Sequence, residues 1–174
     1  MMILLLSTFV GLAQTQTTEK LSKQYGGSLN LYFYKNTLRM LNQKEDKDFD
    51  ELIKDIEKMR FLMIDKESSF LAADYQKFLA GYRSERYEEM LTSRVDGKNV
   101  DVYIREEGGD VKGTIILVND SSSLYVLDIL GKVALNKAAS LFNALDESTD
   151  IGKKIKEFTG GSDKEEKKKG HKIN

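Results

Sequence analysis

The sequence predicts an α+β fold: a mostly antiparallel sheet containing a four-strand meander, with helices packed on one face. Three observations predict it. Helical spacing of apolar residues occupies the first half of the chain and returns only near its C-terminal end. From Tyr87 to Gly131, runs of strand length follow one another with tight turns between them. Strands gathered apart from helices are the pattern of an α+β domain rather than of alternating βαβ units. The chain also has no proline, so every turn rests on Gly, Asn, Asp or Ser.

Each element has its own signal. Residues 29–34 (LNLYFY) are aromatic and aliphatic and read as a short strand. Thr37, Leu38 and Leu41 fall at helical spacing. Phe49, Leu52, Ile53 and Ile56 repeat at i, i+3, i+4 and i+7, an amphipathic helix for which Asp48 and Glu51 form a capping box. Residues 59–64 (MRFLMI) make a strand buried on both faces. Leu71, Tyr75, Phe78, Leu79 and Tyr82 mark a longer helix. Strands follow near residues 88–95, 99–106, 111–118 and 124–131. Asp96-Gly97 is the two-residue hairpin signal between the first two. The last two are apolar on both faces and belong in the interior. Leu135, Ala138, Ala139, Phe142 and Leu145 define a helix over residues 134–145, and Ile151, Ile155 and Phe158 suggest a final turn or two.

The ends differ from the middle. Residues 2–13 (MILLLSTFVGLA) are apolar but too few for a membrane-spanning helix, which needs about 20. They fit the apolar region of a secretory signal cut before Gln14, although no Lys or Arg precedes them. The expected organisation is a signal peptide over 1–13, a linker over 14–28, one α+β domain over 29–158 and a disordered lysine-rich tail over 159–174. Within that tail, residues 162–172 carry five Lys against three acids and no apolar residue to bury.

Composition excludes several chemistries. Lys+Arg number 27 against 28 Asp+Glu, which argues against nucleic-acid binding through bulk charge. The absence of Cys removes disulfides, thiol nucleophiles, Cys-ligated metals and a lipoprotein anchor. The single His, His171, lies near the C-terminus, so neither a Ser-His-Asp triad nor a multi-His metal site can be assembled. Asp46, Asp48, Asp50 and Glu57 fall at positions 1, 3, 5 and 12 of a calcium loop, but Glu51 stands where that loop needs Gly. Ser121-Ser122-Ser123 has no base beside it and reads as a turn. Tyr32, Phe33 and Tyr34 could stack a ligand, but at strand spacing core packing is the stronger expectation. No catalytic, cofactor-binding or metal residue is assigned, and no cofactor is expected.

The passages LRML (38–41), YEEM (87–90), DGKNVDVYIRE (96–106) and VLDILGKV (126–133) resemble those of the family named domain of unknown function 4252. The resemblance implies a small exported protein of Bacteroidetes-type bacteria with a shared α+β fold, and it carries no active residues. The expected function is that of an exported envelope protein, periplasmic or secreted and without a lipid anchor. It would act as a non-enzymatic protein-interaction or signalling module with an unknown protein partner, no nucleic acid and at most a weak tail contact with a membrane surface. The alternative is a small-ligand or lipid carrier with a pocket between the sheet and the Tyr75/Tyr82 helix. Truncation after Gly161 is predicted to leave the unfolding free energy within about 0.5 kcal/mol of the parent, measured in urea.

Overall fold

The computed structural model describes residues 15–26, 29–42, 45–66, 70–95 and 97–133. They form α1 (Gln16–Tyr25), β1 (Leu29–Tyr34), α2 (Lys35–Leu41), α3 (Lys47–Ile53), β2 (Ile56–Asp65) and α4 (Ala72–Ser84). Four strands follow: β3 (Glu88–Val95), β4 (Lys98–Glu107), β5 (Asp110–Asn119) and β6 (Ser123–Gly131). The class is α+β, as expected, with the six strands in one antiparallel sheet ordered β1-β2-β6-β5-β4-β3. The chain divides into two compact units. One holds α1, the sheet and α4; the other holds α2 and α3.

Local chemistry explains most boundaries. Val95 pairs with Lys98, leaving Asp96-Gly97 as the link between β3 and β4, and Gly97 has φ +78°. That left-handed conformation is why the hairpin signal ends in Gly. In β5 and β6 consecutive residues are buried, Thr114–Leu117 on one strand and Val126–Ile129 on the other. Strand side chains alternate between faces, so an unbroken buried run requires both faces of the sheet to be covered. On one face Leu21 of α1 and Tyr75, Phe78, Leu79 and Tyr82 of α4 pack with Leu62, Tyr103, Ile115, Leu117 and Val126. On the other, Met59, Phe61, Val102, Ile116, Leu127 and Ile129 are equally buried.

Four local readings differ. Residues 16–25, within the expected linker, form α1. Its sequence QTTEKLSKQY offers one buried aliphatic, Leu21, too little for a periodicity signal. The N-cap of α3 is Asp46, not Asp48. Asp46 Oδ1 accepts from the amides of Asp48 at 2.8 Å and Phe49 at 3.2 Å, and Asn42 Oδ1 accepts from the Asp46 amide at 2.8 Å. Ile56 leaves the helical stripe because α3 ends at Ile53 and β2 begins at Ile56. Leu71 precedes α4 as its N-cap, exposed, with its amide donating to Asp74 Oδ2 at 3.0 Å. The signal peptide, the helix over 134–145 and the tail lie outside the described residues.

Asp46→Ala should destabilise α3 by about 1 kcal/mol through loss of two amide contacts. Asp48→Ala should cost only about 0.3 kcal/mol, its charge near the helix start being its sole contribution. Thermal unfolding of the two variants distinguishes them.

Candidate functional site

β2 and β6 are paired so that Arg60 lies opposite Asp128, on the same sheet face as Leu62 and Val126. In the same register Tyr32 of β1 flanks Arg60, and Ile115 of β5 flanks Asp128. Arg60 and Asp128 are 2% and 1% exposed. Charges so thoroughly removed from water persist only with hydrogen-bonding partners. Those partners come chiefly from α1 and from Thr15, the residue that caps its start.

Thr15 N–H donates to Asp128 Oδ2 at 3.1 Å, and the Thr15 hydroxyl lies 2.7 Å from the same oxygen. The Thr15 and Thr18 hydroxyls are 2.6 Å apart, and Thr18 Oγ1 is 3.0 Å from the buried Tyr82 phenol of α4. Glu85, at the C-terminal end of α4, supplies a second carboxylate. Its Oε2 accepts from the Gln16 amide at 2.9 Å, and its Oε1 accepts from the Thr17 amide at 2.7 Å and hydroxyl at 2.5 Å. The Thr18 amide donates to Thr15 Oγ1 at 3.2 Å. The amides a helix cannot satisfy internally at its start are therefore all bound, two carboxylates facing the positive end of the helix dipole. α4 admits Thr17 at Gly81, where an added Cβ would stand 2.6 Å from Thr17 Oγ1.

Arg60 continues the network outward. Its Nη1 donates to Glu19 Oε2 of α1 at 2.9 Å and its Nε to Asn30 Oδ1 of β1 at 2.9 Å. The guanidinium also lies 4.9 Å from the Tyr32 ring centroid. Lys58 Nζ stands over both Tyr32 and Tyr34, at 5.6 and 5.3 Å. A second network joins α4 to β3 and β4. The Tyr75 phenol donates to Asp101, which also accepts from Thr92 at 2.7 Å, and the Tyr103 phenol donates to Glu89 at 3.1 Å beside Arg83.

Electrostatics make these groups holders of structure. Burial pushes the Tyr103 phenol up to about 12, and it raises Tyr75, Tyr82 and Tyr87 further. Such phenols donate hydrogen bonds and do not shuttle protons near neutrality. Hydrogen bonds from Lys23 and Arg60 hold Glu19 below the usual carboxylate range. Asp128 moves the other way, raised by burial against the opposing Thr15 and Thr18 bonds and the Arg60 charge.

The other residues singled out from sequence have separate fates. Asp46 caps α3, Asp48 and Asp50 lie within it and Glu57 lies in β2. Among the described residues no group of three or more His, Cys, Asp or Glu is placed to hold a metal. Asp50 accepts from Asn42 Nδ2 at 2.8 Å. Ser122 and Ser123 donate their amides to Asp120 Oδ1 at 2.8 and 2.7 Å, the turn their composition suggested. The Tyr75 and Tyr82 rings, expected beside a ligand pocket, are 7% and 0% exposed and belong to the packed core. Phe33 is buried, whereas Tyr32 and Tyr34 are 42% and 56% exposed. A surface depression of about 700 Å³ lies in the α2–α3 unit, lined by Lys35, Arg39, Met40, Glu45 and Asp50 among others. Sequence reasoning missed Thr15, Thr17, Thr18, Glu85, Arg60 and Asp128. The signals were a threonine-rich helix start and single charges inside apolar strands.

Asp128→Ala should lower the unfolding free energy by about 1–3 kcal/mol, the cost of leaving buried donors unpaired. The pH dependence has a definite sign. A carboxyl raised in the folded state binds its proton more tightly there, so stability is greatest below its ordinary range and declines as pH rises through its folded value. In Asp128→Asn that decline should vanish from urea unfolding measured across the range. The Glu19 contribution, present above the usual carboxylate range and lost on acidification, should remain.

No curated protein and no solved structure matches the chain. A family model described as Domain of unknown function (DUF4252) matches residues 26–141, well over half of the sequence. The strands whose pairing builds this site all fall within that span, and the chain belongs to the DUF4252 family.

Proposed function

We propose that the protein is an exported, non-enzymatic interaction module of the cell envelope, processed near Gln14. One observation supports this reading above others. The buried carboxylates Asp101 and Asp128 and the buried Tyr75 and Tyr82 phenols are engaged by partners within the fold, while large aromatic and aliphatic side chains stand exposed on both outer strands. Tyr32 and Tyr34 are exposed on β1, and Met90 and Leu91 on β3. Exposed large apolar groups on sheet edges are features of contact surfaces. Helix α1 supports the processing site, because Thr15 already contributes to the hold on Asp128. A cut beyond Thr15 would remove a buried partner.

Amino-terminal sequencing of protein from the native host should begin at or immediately before Gln14. Mature protein used as bait on native envelope extract should retain a specific partner, identified by mass spectrometry. Intact Met1 in the cytoplasm would overturn the export reading. Absence of any specific partner would overturn the interaction reading.

A further inference from the structure

The two outer strands of the sheet are unequally protected. β3 carries a bulge between Glu89 and Leu91 and bears charged Glu88, Glu89 and Arg94. Bulges and charges are the usual devices that prevent an outer strand from pairing. β1 has neither device. Its six residues pair with β2 without a register shift, and its sequence LNLYFY contains no charge and no proline. Among the described residues, its outward backbone groups have no strand, turn or loop partner.

Beside that edge lies an unneutralised charge. Arg60 is compensated by Glu19, but Lys58 has no carboxylate within ion-pair distance among the described residues. Lys58 lies opposite Tyr34 in the register, and its ammonium rests over the exposed Tyr32 and Tyr34 rings. Cation–π contact holds the charge at the edge without cancelling it. The rings are two residues apart, a spacing of about 7 Å that matches alternate side chains of a neighbouring strand.

We propose that β1 is a strand-addition site for an extended, acidic segment of a partner protein, whose carboxylate meets Lys58 between Tyr32 and Tyr34. This assignment rests on the reading of the protein as an interaction module. Backbone pairing along β1 supplies the generic part of recognition, and the Lys58–tyrosine clasp selects acidic over basic sequences. A second copy of the chain is disfavoured as the occupant, because β1 carries no acidic side chain to offer Lys58 of its partner.

The probe is the acetylated peptide Thr-Glu-Val-Glu-Val-Glu-Thr, added to the full mature chain. Binding is read by fluorescence anisotropy and by amide hydrogen exchange in residues 29–34. Expected are saturable binding, slowed exchange in β1, and affinity at least tenfold lower for Lys58→Glu and for Tyr32→Ser/Tyr34→Ser. Far-ultraviolet circular dichroism verifies that the variants are folded, and Lys58→Arg should retain binding. The lysine-for-glutamate peptide and a peptide N-methylated at alternate amides should both fail. Equal binding by either control, unchanged affinity in Lys58→Glu, or β1 protection through concentration-dependent self-association would overturn the assignment. If envelope bait retains its partner equally well with Lys58→Glu and with the double tyrosine variant, the interaction reading stands and the β1 site falls.

Discussion

The buried Asp128 carboxylate is the constraint on which the α1–α4 face of the sheet depends. A carboxylate 1% exposed in the middle of an apolar strand must be supplied with donors. In this protein the donors arrive with a separate helix, from Thr15, the residue that caps its start. That requirement fixes where α1 begins and sets its height on the sheet. It also brings Thr18 against Tyr82, joining α1 to α4 at a buried hydroxyl contact. Glu85 completes the arrangement from the other side, so both helices share one polar junction.

Apolar packing then follows from the placement. With α1 anchored at its start, Leu21, about one turn beyond Thr18, reaches the cluster of Tyr82, Leu62 and Val126. Helix propensity alone would not hold a ten-residue segment with one buried aliphatic, since short helices are marginal in water. The carboxylates satisfy its free amides and offset its dipole, and packing of Leu21 adds the hydrophobic share. Gly81 is the steric condition for this approach, because any larger residue there would meet Thr17. Polar specificity and apolar burial thus act at different positions of the same helix.

The same row of residues links interior to surface. Asp128 lies beside Arg60, Arg60 beneath Tyr32, and Tyr32 beside Lys58, across β6, β2 and β1. Arg60 is neutralised by Glu19 and held by Asn30, so its guanidinium is a fixed platform for the tyrosine. A ring supported in this way has little freedom left to lose, the condition that the proposed contact at β1 would use. The Tyr32 ring on the outer strand β1 is therefore positioned from the interior.

Much of the fold was legible in the residues themselves. The spans of β1 and β3 to β6, the Asp96-Gly97 hairpin and the α4 stripe of Tyr75, Phe78, Leu79 and Tyr82 follow from periodicity and turn chemistry. These signals are carried by neighbours within a few positions. Core packing, the expectation for Tyr32, Phe33 and Tyr34, holds for Phe33 alone, because alternation along the strand turns both tyrosines to the other face, where they are exposed. What only the tertiary structure decided is what depends on distant partners. Examples are the insertion of β2 beside β6, the pairing of Arg60 with Asp128, and the stability of α1. The threonine at residue 15 and the carboxylate that it caps are 113 positions apart. No local pattern of hydrophobicity encodes such a contact, because its energy exists only once the strands that carry Arg60 and Asp128 have been brought side by side.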